Sequence, residues 1–147
     1  MTSIKNIDIL LVEDNPHEAR LTILSLEEKD LAENLKHVDD GAEALDFIFA
    51  KGEYADRVGQ KNPKIILLDL NLPKIGGLEV LRQIKENEAT RSIPVVILSS
   101  SNQDRDIKTG FALGANSYIV KPFNFERFAE AIRSLGYYWL LLNQAPV

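Results

Sequence analysis

Apolar runs and amphipathic stretches alternate along this chain with a regular beat. IDILLV (7–12) stops at Glu13-Asp14, as expected of a strand buried on both faces. In NPHEARLTILSLEEK, Asn15 suits an N-cap, Pro16 the first helical position and Glu18 the third place of a capping box, so a helix begins at once. NLKHV (34–38) reads as a weaker strand. Asp40 can cap the helix GAEALDFIFA, which has Ala44, Leu45, Ile48 and Phe49 on one side. Residues 51–63, KGEYADRVGQKNP, break all periodicity, and their mixed charge predicts a long solvent-exposed loop.

KIILLD (64–69) predicts a third strand, LPKIGG a turn, and LEVLRQIKEN a helix with Leu78, Val80, Leu81 and Ile84 as its apolar stripe. IPVVILSSS (93–101) reads as the fourth strand, with Ser99 where apolar residues give way to hydroxyls. The helix DRDIKTGFALG ends at Gly114, a residue suited to a left-handed cap. ANSYIV is the fifth strand. NFERFAEAIRSLGYYWLLL predicts a long final helix capped by Asn124, with Phe128, Ile132, Leu135, Trp139 and Leu142 facing the core at three-four spacing. Tyr137, Tyr138, Leu140 and Leu141 then point elsewhere, which predicts a homodimer interface on the extended C-terminal helix.

Five strands alternating with five helices predict a single α/β domain over residues 1–147, a doubly wound, flavodoxin-like parallel sheet in the order 2-1-3-4-5. Ligands in such sheets bind outside the carboxyl ends of the strands, at the switch between strands 1 and 3. There the chain delivers Glu13 and Asp14, Asp69, Ser99 and Lys121. Asp avoids strand interiors, and carboxylates brought together repel one another unless a cation compensates. An all-oxygen site of this kind suits Mg²⁺, held by Glu13, Asp14 and Asp69 with the backbone carbonyl of Asn71. A free oxygen of Asp69 can then act as a nucleophile toward a phosphoryl group, giving an aspartyl phosphate, with Lys121 supplying positive charge. Ser99 can donate to the phosphoryl oxygen once it is present. Tyr118, three residues before Lys121, can move inward as Ser99 moves. His17 and His37 are expected to take no part.

Composition narrows the function classes. Hydrophobic residues at 45% and charged residues at 27% are ordinary for a globular domain, so one core without a separate output module is expected. A net charge of -5, from 17 basic and 22 acidic residues, argues against nucleic acid as a direct partner. The absence of cysteine excludes disulfides and thiol chemistry. The apolar N-terminal run is too short for a signal segment or a membrane span, and a cytoplasmic location is expected. A flavin or nucleotide carrier on the same scaffold would place amides where Glu13 and Asp14 stand. An aspartyl-phosphate phosphatase would need a second carboxylate two residues after Asp69, where the chain has Asn71.

LLVEDN, LLDLNLP, VVILSS and YIVKPF occur in order over much of the chain. In this the sequence resembles a response-regulator receiver domain, the phosphorylatable aspartate switch of two-component signalling. The resemblance implies phosphorylation of Asp69 by a histidine kinase, self-catalysed phosphorylation and dephosphorylation only, a cis Lys121-Pro122 bond, and Asn71 and Ser101 flanking the phosphate. The long loop with GEY and the tail YYWLLL are similar to stand-alone regulators of cyanobacterial phytochromes, which implies a light-regulated kinase as partner. The output is a changed dimer or partner-binding surface; a phosphorelay intermediate that passes phosphate to a histidine phosphotransfer protein is the alternative. Two positions depart from the family pattern. Gly76 stands where Asp or Asn would cap the third helix, and Ser100 where a small apolar residue is common.

Overall fold

Strands β1 (Ile9–Val12), β2 (Leu35–Val38), β3 (Ile65–Leu68), β4 (Val95–Ser99) and β5 (Ser117–Val120) form one parallel sheet in the order β2-β1-β3-β4-β5. The structure is a computed structural model that describes residues 6–121 and 124–144. The Lys121-Pro122 bond lies outside the described residues.

The two-residue period of the strands divides the core. Ile9, Leu11, Ile65, Leu67, Val96 and Leu98 pack with α1 (Pro16–Glu27) and α5 (Phe125–Tyr137). Leu10, Val12, Ile66, Leu68, Val95 and Ile97 pack with α2 (Gly41–Ile48) and α3 (Gly77–Glu86) on the other face. Both faces are therefore covered, as near-continuous apolar strands require. Asn15, Asp40 and Asn124 cap α1, α2 and α5 by accepting from the amides of Glu18 (3.0 Å), Glu43 (2.7 Å) and Arg127 (3.1 Å). Gly76 starts α3 without a side-chain cap.

The register levels the strand ends. Val12 lies beside both Val38 and Leu68, and Ser99 beside Val120. The ladder then runs one step further on each side: the Asp69 amide donates to Val12 O at 3.0 Å and the Lys121 amide to Ser99 O at 2.7 Å. This fixes the acidic and basic side chains at a common edge.

Two expectations need correction. The segment 51–63 is not wholly a solvent-exposed loop: Gly52–Arg57 forms a 3-10 turn against α2. Tyr54 packs edge-on against Phe47 at 5.1 Å and donates to Glu43 Oε2 at 2.6 Å. Arg57 is buried, its guanidinium 3.8 Å from the Phe47 ring centroid and bonded to the Phe47 carbonyl. Here a cation-π contact and a helix-end carbonyl override the polarity of the segment.

The second correction concerns the final helix. Phe128, Ile132 and Leu135 face the core as predicted, but from Tyr138 to Leu142 the backbone widens to a π-helical turn, with the Asn143 amide donating to Tyr138 O at 2.7 Å. The wider turn breaks the three-four spacing. Leu140, five residues after Leu135, takes a partly buried place beside Trp139, and Leu142 is 56% exposed. Leu140 thus leaves the outward set, and Leu142 joins it.

α3 approaches the end of β3 so closely that a Cβ on Gly77 would lie 2.3 Å from the Asp69 carbonyl oxygen. Only glycine fits there. Gly77→Ala is expected to lower unfolding free energy by about 1–3 kcal/mol. Gly76→Ala, with nothing within 4 Å of its Cβ, costs less than about 1 kcal/mol. Urea titrations of the two variants check the difference; equal losses would contradict the close approach.

Candidate functional site

At the carboxyl edge of the sheet the acid that ends β1 and the acid that ends β3 meet a single lysine. Lys121 Nζ donates to Glu13 Oε1 at 2.8 Å, to Glu18 Oε2 at 3.2 Å and to Asp69 Oδ2 at 3.4 Å. Glu13, Asp69 and the Lys121 side chain are almost fully buried, with Asp69 only 7% exposed. The Asp69 carboxylate is therefore covered by the lysine. Its other oxygen, Oδ1, accepts from the Asn71 amide at 3.3 Å, so the turn after β3 holds the carboxylate in place.

Asp14, one residue beyond Glu13, is exposed at the mouth. Carboxylate oxygens of Glu13, Asp14 and Asp69 all lie within 4.8 Å of one another. Burial pushes the Glu13 carboxyl up to about 8, the hydrogen bond to Asp69 adds to this, and Lys121 pulls the other way. Burial alone would lower the Lys121 ammonium, but Glu13, Asp69 and Glu18 reverse this and raise it. One ammonium does not neutralise Asp14, Glu18 and Asp69, and a cation that displaces the Glu13 proton would meet a fourth carboxylate. The donor set is all oxygen, partly buried and over-supplied with negative charge, which fits a hard divalent cation.

Ser99 ends β4 fully buried and accepts from the Ser101 amide at 3.1 Å. Tyr118 on β5 is partly buried and donates to the Ser101 carbonyl at 2.9 Å, so its ring already lies inward in this state. A cleft of about 240 Å³ opens beside these groups, lined by Asn71, Gly77, Glu79, Ser99, Ser101 and Asp106. The structure thus brings Glu13, Asp14, Asp69, Asn71, Ser99 and Lys121 to one edge. Tyr137, Tyr138, Leu140 and Leu141 lie elsewhere, since Gly136 packs against Leu26 and Leu31 beyond the other end of α1.

Two neighbours of the site escaped sequence reasoning. Glu18 was assigned to a capping box, yet its side chain turns to Lys121, a contact that depends on where β5 ends. His37 Nε2 sits 2.8 Å from the Glu13 carbonyl oxygen, and its register opposite Leu11 puts it next to that strand end. His17 is exposed. A second acidic group, Asp39, Asp40 and Glu43, has its central member committed to capping α2 and to Lys74 at 3.4 Å.

Known proteins resemble this chain in sequence and fold. The chain is 38% identical over 138 residues to the probable methanogenesis regulatory protein FilR2 of Methanothrix harundinacea, covering 94% of this chain and 86% of that one. It is 36% identical over 132 residues to response regulator Rcp1 of Synechocystis sp., covering 90% and 88%. The crystal structure of the Mn²⁺-bound form of Rcp1 superposes with a TM-score of 0.86 at 35% identity over 95% of this chain and 98% of that one. The structure of the phosphorylated cyanobacterial phytochrome response regulator RcpA gives a TM-score of 0.88 at 36% identity over 97% and 100%. Residues 9–133 match the response regulator receiver domain. With that match, this sheet order and these relatives, the chain belongs to the receiver-domain family of response regulators.

Proposed function

We propose that Asp69 accepts a phosphoryl group from a histidine kinase and that Lys121 and Ser99 read its arrival. The observation that carries this reading is the placement of Lys121 Nζ within hydrogen-bond reach of both Glu13 and Asp69, which puts a cation where phosphoryl oxygens would develop charge. An Asp69 carboxylate oxygen attacks phosphorus; a new P–O bond forms as the bond from phosphorus to the kinase imidazole nitrogen breaks, and the imidazole, protonated on its other nitrogen, takes that electron pair and leaves neutral. Lys121 exchanges carboxylate partners for a phosphoryl oxygen, and Ser99 donates its hydroxyl to another. Mg²⁺, held by Glu13, Asp14 and Asp69 with the Asn71 carbonyl, would supply further positive charge opposite the phosphoryl oxygens. With Asn71 in place of a second acid, the domain promotes only its own phosphorylation and hydrolysis.

The likeness to RcpA and Rcp1 supports a phytochrome-type light-sensing histidine kinase as the donor. No described helix is long and apolar enough to cross a membrane. The exposed Tyr137, Tyr138 and Leu141, at 49%, 49% and 61%, support a homodimer through the C-terminal segment, and the surface of α4 (Asp104–Ala112), β5 and α5 supports a phosphorylation-dependent output.

Acetyl phosphate with Mg²⁺ is expected to retard the chain on a phosphate-binding gel, and Asp69→Asn to abolish the shift. A full shift in the variant would remove Asp69 as acceptor. The raised Glu13 carboxyl sets a pH dependence. Between its ordinary 4.5 and about 8 the cation-free folded chain holds a proton that the unfolded chain releases, so stability without metal falls as pH rises through that window. A cation must displace this proton, and its stabilising effect therefore grows with pH. The difference in melting temperature between millimolar Mg²⁺ and EDTA should increase from about pH 6 to about pH 8.5; a constant difference would contradict the assignment. Tyr138→Glu with Leu141→Glu is expected to yield monomers by analytical ultracentrifugation while sparing Trp139 and Leu140, which pack on the core. An undiminished dimer would move the interface elsewhere.

A further inference from the structure

Ser101 is the junction of three elements. Its amide donates to Ser99 Oγ at 3.1 Å, its carbonyl accepts from the Tyr118 hydroxyl at 2.9 Å, and its own hydroxyl donates to Asp106 Oδ2 at 2.5 Å while accepting from the Gln103 amide at 3.3 Å. Every polar group of the residue is engaged. A shift of the Ser99 hydroxyl toward a phosphoryl oxygen removes the first of these bonds, and the other three then determine what moves with it.

Two of the three lead to β5 and to the loop itself. The third leads to α4. That helix is lightly held: of its residues Gly110 is buried while Phe111 is 50% exposed, and its N-cap Gln103 provides no side-chain cap bond. Its first turn is tied to the β4 end through Asp106, whose other carboxylate oxygen lies 3.9 Å from Arg105 on the surface. Asp106 also lines the cleft beside Ser99 and Asn71, so the bond sits beside open space into which the loop can move.

We propose that Asp106 is a positioning residue that latches the β4–α4 loop to α4 through the Ser101 hydroxyl, and that this bond carries the state of Ser99 into the first turn of α4. The proposal rests on the reading of Asp69 as phosphoacceptor and adds a regulatory contact to it. A hydrogen bond to a carboxylate is strong enough to couple the Ser101 hydroxyl to the first turn of the helix. Among the described residues Asp106 bonds to the Ser101 hydroxyl and not to Asp69, Ser99 or Lys121, so it acts through Ser101.

Hydrogen exchange of the full chain, with and without acetyl phosphate and Mg²⁺, tests this, with the phosphorylated fraction read on a phosphate-binding gel from the same samples. In the natural chain, phosphorylation should change exchange of the amides of residues 104–109 by about tenfold, the scale of one charge-assisted hydrogen bond. Asp106→Ala should be phosphorylated to the same extent with that ratio cut to below about twofold. Asp106→Asn, which keeps an acceptor oxygen, and Ser101→Thr, which keeps the hydroxyl, should both retain the ratio. If Asp106→Ala raises exchange equally in both states and leaves the ratio intact, the contact is only a structural anchor and the latch is refuted. Absence of a gel shift in the natural chain would instead overturn the reading of Asp69 on which the latch depends.

Discussion

Negative charge crowded at the carboxyl edge of a parallel sheet is the constraint around which this domain is built. Parallel pairing in this order forces the ends of β1 and β3 side by side, and the chain places acids at both. Repulsion there is offset by one buried ammonium on the far side of the sheet order, reached because β5 ends level with β4. The arrangement is tolerable with Lys121 in place and becomes favourable when more positive charge arrives. A site that holds unspent attraction for a cation, and then for an anion on that cation, is suited to a reversible covalent mark.

The rest of the fold divides into a rigid part that holds this charge and a lighter part that responds to it. β1, β3 and β4 are buried along their length, and α1, α2, α3 and α5 seal them from both faces. β5 is only partly buried, and α4 packs through Gly110, where a Cβ would lie 2.8 Å from Ile97 Cδ1 of β4 and 3.4 Å from the Tyr118 ring of β5. Lys121 and Tyr118 both belong to this lighter side. A signal that begins between rigid strands therefore has its easiest route outward through the β4 end, β5 and α4.

Much of this was legible in the sequence because periodicity and strand ends are local facts. The five apolar runs, the caps at Asn15, Asp40 and Asn124 and the acidic and basic strand ends could be read without knowing what packs against what. What escaped depended on contacts between distant segments or on backbone phase. Arg57 looked like a surface charge until Phe47 offered a ring and a carbonyl. Glu18 had a satisfactory local explanation as a capping residue, and only the position of Lys121 gives its side chain a better partner. The exchange of Leu140 for Leu142 follows from a single widened helical turn, which no spacing rule signals.

The most direct measurement is chemical trapping of the modified side chain. Borohydride reduces an acyl phosphate on Asp to homoserine, so mass spectrometry after phosphorylation with Mg²⁺ identifies the residue that carried the mark. The account predicts homoserine at position 69 and at no other carboxylate, with the signal lost in EDTA. Homoserine at position 14, 5-hydroxynorvaline at position 13, or an unmodified Asp69 in a phosphorylated chain would contradict it.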